Sequence, residues 1–191
     1  MKKTCLIACI LTLCLLVTSC GYTIVDTSKI EDYATTFDRA FQDTELDQPA
    51  IMKISTSPSD GEIVQYYAKC IDELPLGERV QILLSVKYNS EAFEKETERI
   101  SAISQANPVL YDTEHFQYPA YVSSIGYLNA CEYVLVDSDN STLHYVVLQS
   151  VLAEDIVFDA SYLPSGYTDY GEVEGMKHTI YYRLLDLETL D

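Results

Sequence analysis

Residues 79–88 read Arg79-Val-Gln-Ile-Leu-Leu-Ser-Val-Lys-Tyr88 and carry the clearest structural pattern of the chain. Apolar side chains occupy every second position from Val80 to Tyr88, and polar side chains lie between them, with Leu83 as the exception. A period of two is typical of a strand with one face on a core and the other face in water. We therefore predict an antiparallel sheet that includes this strand.

The residues on either side of this strand predict helices. Helix-capping residues followed by apolar residues at helical spacing predict a first helix over residues 28–42 and a second over residues 59–74. A capping residue also predicts a third helix, which begins at Asn89 or Ser90. A short strand is expected at residues 51–56.

The second half of the chain predicts further strands. They cover residues 118–128, 130–136, 142–152 and 179–185, with a hairpin turn at 137–141. Residues 153–177 lack periodicity and are expected to form a long loop. The pattern as a whole predicts an α+β fold: a single domain over residues 28–191, with about three helices packed on a mostly antiparallel sheet of about five to six strands.

The N-terminus has the composition of an export signal. Lys2 and Lys3 are followed by an uncharged run over residues 4–17, which ends at Val17 and is followed by Thr18, Ser19 and Cys20. A basic start, a short apolar run and small residues describe a secretory signal peptide. Val17-Thr18-Ser19-Cys20 resembles the lipobox of bacterial lipoproteins.

The resemblance implies a specific processing of the chain. Residues 1–19 would be removed by cleavage between Ser19 and Cys20, and the Cys20 thiol would carry a diacylglyceryl group. Residues 20–27 would then be a lipidated N-terminus with a short tether. The membrane would be a partner through this lipid, and the protein would lie on the outer face of the cell membrane, or at the outer membrane if the host has one.

The charge of the chain restricts its partners. The formal net charge is −18, and without Lys2 and Lys3 it becomes −20, with 10 basic and 30 acidic side chains. Such a surface repels nucleic acid and anionic lipid headgroups. Residues 100–176 contain acids but neither lysine nor arginine. These acids either bind a divalent cation such as Ca²⁺ or are solvated separately. No cofactor is expected.

Two cysteines remain after Cys20 and the signal peptide are set aside. Cys70 lies in the second predicted helix and Cys131 opens a predicted strand. They are expected to be either two separate buried thiols or a disulfide, which an extracytoplasmic compartment permits.

The sequence contains no motif of a known catalytic site: no Gly-x-Ser-x-Gly elbow, phosphate-binding glycine loop, dinucleotide fingerprint or paired zinc histidines. This favours a non-enzymatic binding or envelope-interaction module with a protein or glycan partner. The long loop holds the candidate ligand-binding tyrosines, which are Tyr162, Tyr167 and Tyr170. The alternative is an envelope or extracellular hydrolase that uses carboxylates of the same loop, with Asp155 and Asp159 as the acid pair.

Overall fold

The computed structural model describes residues 22–36, 60–73, 77–103, 109–123, 130–149, 151 and 155–164. Within these ranges the strands are β1 (Tyr22–Thr27), β2 (Gly61–Glu73), β3 (Gly77–Tyr88), β4 (Val109–Asp112), β5 (Ala120–Ser123), β6 (Ala130–Asp137) and β7 (Thr142–Gln149). The helices are α1 (Ser90–Ile103) and two short 3₁₀ turns, Ile30–Asp32 and Ala160–Tyr162.

The described strands form one seven-stranded sheet in the order β1-β2-β3-β7-β6-β5-β4. Every neighbouring pair is antiparallel. The mostly antiparallel sheet is therefore confirmed, and it contains more strands than the sequence pattern predicted. The predicted strand β3 is the third of the seven, between β2 and β7.

The second predicted helix, over residues 59–74, is wrong, because its residues from Gly61 to Glu73 form strand β2. The apolar residues of this stretch fit both a helical and an alternating spacing. The structure buries Tyr66, Ala68 and Cys70, which alternate along the strand. The β-branched and aromatic residues of this stretch favour the strand.

The first predicted helix is described only up to residue 36, as a 3₁₀ turn followed by helical residues 33–36. The third is confirmed as α1. Residues Tyr22–Thr27, expected to be a tether, form the edge strand β1 and pair with β2. The strands predicted at 51–56 and 179–185 lie outside the described residues.

One face of the sheet, the helix face, packs against α1. Phe93 and Ile100 of α1 contact a buried core that includes Leu84, Tyr145 and Val147. The Tyr145 hydroxyl donates to Glu96 Oε1 at 2.9 Å. Buried apolar contacts and this hydrogen bond together hold the helix against β7.

The other face, the segment face, is covered by residues 155–164, which we call the covering segment. Leu83, Val146 and Leu148 form its core, with Leu163 of the covering segment buried among them. The alternation in β3 predicted that this face is mostly wet; Lys87 is exposed, but the prediction is wrong for Gln81 and Ser85. Gln81 is 4% exposed and Ser85 is 1% exposed, because the covering segment shields both side chains from water.

Candidate functional site beneath the covering segment

The covering segment is attached to the sheet by polar contacts at its beginning. The Arg79 guanidinium lies 2.6 Å from the Asp155 carboxylate. The Gln81 side chain donates to the Asp155 carbonyl at 2.9 Å and accepts from the Val157 N–H at 3.2 Å. Gln81 thus contacts the segment as a strand backbone would, with one donor and one acceptor. Asp155, a predicted site residue, therefore has a structural contact.

Asp159, the second predicted acid, has a local role. Its carboxylate accepts from the Ser161 N–H at 2.8 Å and caps the 3₁₀ turn Ala160–Tyr162. The backbone hydrogen bond from Ser161 lowers the pKa of Asp159, and the Ser161 side chain adds to this. Asp159 is therefore held as a carboxylate by the turn that it caps.

Tyr162 is the predicted tyrosine that reaches the sheet. Its hydroxyl donates to Gln65 Oε1 at 2.9 Å, and its carbonyl accepts from the Tyr133 hydroxyl at 2.8 Å. The other two predicted tyrosines, Tyr167 and Tyr170, lie outside the described residues.

The sheet register separates the two predicted cysteines. Cys70 lies opposite Val80 on β2, and Cys131 lies opposite Leu148 on β6. Strands β3 and β7 lie between these two strands, which corresponds to about 14 Å. A disulfide needs Cα atoms within about 7 Å. The fold does not bring Cys70 and Cys131 together.

The polar cluster that the fold does bring together lies in one row across three strands. Gln65 of β2 pairs with Ser85 of β3, which pairs with His144 of β7. Because directly paired residues point to the same face, the three side chains lie side by side on the segment face. His144 is 7% exposed, and the covering segment lies above it with Tyr162.

The hydrogen bonds of this row fix the state of the histidine. His144 Nδ1 lies 2.8 Å from Ser85 Oγ, and the Ser85 hydroxyl donates to Gln65 Oε1 at 3.4 Å. Because the Ser85 hydroxyl donates its proton to Gln65, Ser85 Oγ accepts a hydrogen bond from His144, and Nδ1 therefore carries the imidazole proton. Nε2 is then a buried lone pair, and among the described residues it has no hydrogen-bond partner.

Burial also sets the charge of His144. Desolvation lowers the pKa of His144, and the nearby Asp137 carboxylate opposes this in part. The ring lies between two tyrosines, with centroids 5.6 Å from Tyr118 and 5.0 Å from Tyr162. Burial between these two rings favours a neutral imidazole near pH 7.

The contact between Ser85 and His144 has the spacing of a nucleophile and its base. However, Ser85 is 1% exposed, so a substrate would reach it only after the covering segment had moved. Among the described residues, the row is a buried hydrogen-bonded network in which only His144 Nε2 lacks a partner. Sequence reasoning missed it, because β3 and β7 had to be paired before the two residues could be connected.

The predicted hairpin between β6 and β7 is confirmed, with Asp137 paired to Thr142. Asp137 accepts from the Asn140 N–H at 3.2 Å and from its side-chain amide at 2.8 Å. Its carboxylate is therefore engaged by the turn. Across the described ranges of the chain, no group of three or more His, Cys, Asp or Glu side chains is arranged to hold a metal ion.

Comparison with protein-family models, with curated proteins and with solved structures finds no match for this chain. Among the described residues, no helix has the length and apolar character needed to cross a membrane.

Proposed function

We propose that the protein is a bacterial lipoprotein, anchored by a diacylglyceryl group on Cys20, whose sheet domain binds an envelope partner and does not catalyse a reaction. The observation that carries the anchor is the sequence Val17-Thr18-Ser19-Cys20, which follows an uncharged run behind Lys2 and Lys3. A diacylated cysteine provides the two chains that stable membrane attachment requires.

The engagement of the candidate catalytic groups supports a binding role. Asp155 pairs with Arg79, and Asp159 caps a turn. Ser85 is buried next to His144. A hydrolase that uses Asp155 and Asp159 as an acid pair would have to break the contacts that position the covering segment, which weighs against this alternative.

The partner is expected to be a protein, a glycan or a divalent cation. The net charge of −20 after loss of Lys2 and Lys3 excludes nucleic acid as a natural ligand. The proposed contact region includes Tyr162 of the covering segment and the tyrosines that follow it in sequence, Tyr167 and Tyr170. The protein would act on the outer face of the cell membrane, or at the outer membrane of a host with two membranes.

Two experiments test the proposal. The first is metabolic labelling of the full chain with an alkyne fatty acid in a bacterial host, followed by membrane fractionation. Label and membrane association are expected for the natural chain and should both be lost in Cys20→Ala. Unlabelled natural protein would contradict the anchor.

The second experiment is a thermal-shift panel with Ca²⁺, glycans, cell-wall fragments and peptides, together with a turnover assay for each organic compound. A specific ligand at 100 times its Kd adds about 2.7 kcal/mol to the free energy of unfolding. A shift without turnover supports a binding module. Turnover of any of these compounds would contradict it and favour the hydrolase.

A further inference from the structure

The start of strand β1 limits the distance between the domain and the membrane. Tyr22 is the first residue of β1, and only Gly21 separates it from Cys20. Two residues span at most about 7 Å. If Cys20 carries the lipid, the edge of the folded sheet therefore begins within about 7 Å of the lipidated residue.

This distance is comparable to the thickness of the membrane interface. The headgroup region on each side of the hydrocarbon core is about 5–8 Å thick. With a lipid on Cys20, Tyr22 would lie in this region or directly above it. Its side chain is 57% exposed, and tyrosine is one of the residues enriched at this depth, because it has an apolar ring and a polar hydroxyl.

We propose that the corner of the sheet that contains Tyr22 contacts the bilayer interface, with Tyr22 as the contacting side chain. The inference rests on the lipid anchor proposed above. The partner of this corner is thus the interfacial layer of the membrane. Because the chain is strongly acidic, the contact depends on the covalent lipid and not on attraction to headgroup charge.

The register shows which part of the sheet lies farthest from this corner. Tyr111 of the opposite edge strand β4 lies in the row Tyr111, Tyr121, Val134, Tyr145, Leu84 and Tyr66. Tyr22 pairs with Asp72, six residues further along β2 than Tyr66. The two tyrosines are thus about 29 Å apart across the strands and about 20 Å apart along them, or about 35 Å along the diagonal.

This geometry has a consequence for partner binding. The corner near Tyr22 is covered by the bilayer, whereas Tyr111 at the opposite edge lies about 35 Å away along the sheet. Tyr111 is 58% exposed, and its ring centroid lies 4.8 Å from that of Tyr121. A partner outside the membrane would therefore reach the β4 edge without displacing the domain from the lipid.

The chain contains no tryptophan, so a single substitution introduces a specific fluorescent reporter. Tyr22→Trp and Tyr111→Trp form a matched pair, because the two tyrosines are 57% and 58% exposed. Each full-length variant is produced in a bacterial host, its lipidation is verified by intact mass, and it is reconstituted into phosphatidylcholine vesicles that contain a headgroup-proximal spin-labelled lipid.

Quenching is expected to be several-fold greater for the reporter at position 22 than for the reporter at position 111. A flexible Gly-Ser insertion between Gly21 and Tyr22 should remove the difference. A lipidated Tyr22→Trp protein that is quenched no more than Tyr111→Trp would overturn the inference and leave the anchor intact. If the mass shows no lipid, the proposed anchor itself fails, and the inference fails with it.

Discussion

Ser85 Oγ lies 2.8 Å from His144 Nδ1, although 59 residues separate the two in sequence. The pairing of β3 with β7 creates this contact, and the covering segment closes it off from water. The bond satisfies one nitrogen of a buried neutral imidazole. Removal of this hydrogen bond should therefore lower the free energy of unfolding of the domain.

Ser85→Ala should lower the free energy of unfolding by about 1–3 kcal/mol, because His144 Nδ1 would remain buried without its partner. The measurement is urea denaturation followed by circular dichroism. Ser138→Ala, at an exposed hairpin position, is the matched control and should change the value by less than about 0.5 kcal/mol. Equal effects of the two substitutions would show that the buried bond contributes nothing.

The stability of the domain should fall as the pH decreases from about 7.5 to about 5. Burial lowers the pKa of His144 in the folded state, and Asp137 only partly opposes this. Above its unfolded pKa the ring is neutral in both states. As the pH falls below that value, the unfolded chain binds a proton first, so the free energy of unfolding decreases.

Denaturation curves at a series of pH values test this dependence. The groups that surround His144 are Ser85, Tyr118, Tyr162 and Asp137. A His144→Gln variant should lose most of the pH dependence in this window. A slope that is unchanged in His144→Gln would assign the effect to other groups.

Gln81 is expected to hold the covering segment more strongly than the ion pair does. Arg79 and Asp155 are 31% and 43% exposed, and exposed pairs contribute about 0–1 kcal/mol. Gln81 is buried and makes two hydrogen bonds to the segment. Gln81→Ala should therefore cost about 1–3 kcal/mol, clearly more than Asp155→Asn.

Hydrogen exchange at the Val157 amide provides a local measure of the same difference. Exchange should accelerate strongly in Gln81→Ala and only slightly in Asp155→Asn. The reverse order would mean that the ion pair is the principal attachment of the segment.

Tyr145→Phe should loosen α1. The Tyr145 hydroxyl is buried on the helix face and donates to Glu96, which Arg99 contacts through two hydrogen bonds of 2.7 Å and 2.6 Å. A hydrogen bond to a charged group contributes about 1.5–3 kcal/mol, and we expect a loss of this size in urea denaturation. Tyr121→Phe serves as a control, because its ring is only half-buried. Comparable losses in the two variants would argue against the bond to Glu96.

The sequence pattern predicted strand β3, the β6–β7 hairpin and α1, because in each case a single periodicity or a set of turn or capping residues dominated. It failed at β2, where helical and alternating spacing coincide and the pairing with β3 favours the strand. It also failed at β1, whose six residues are stable only as an edge added to β2. The row of Gln65, Ser85 and His144 depends on the registers of two strand pairs, and local sequence contains no information about these registers.

The intact mass of the protein purified from membranes of a bacterial host tests whether Cys20 carries the proposed lipid. We expect a chain that begins at Cys20 and carries the added mass of a diacylglyceryl group, with fragmentation that places this mass on the N-terminal cysteine. A chain that retains residues 1–19, or one that begins elsewhere with an unmodified Cys20, would contradict the proposed lipidation.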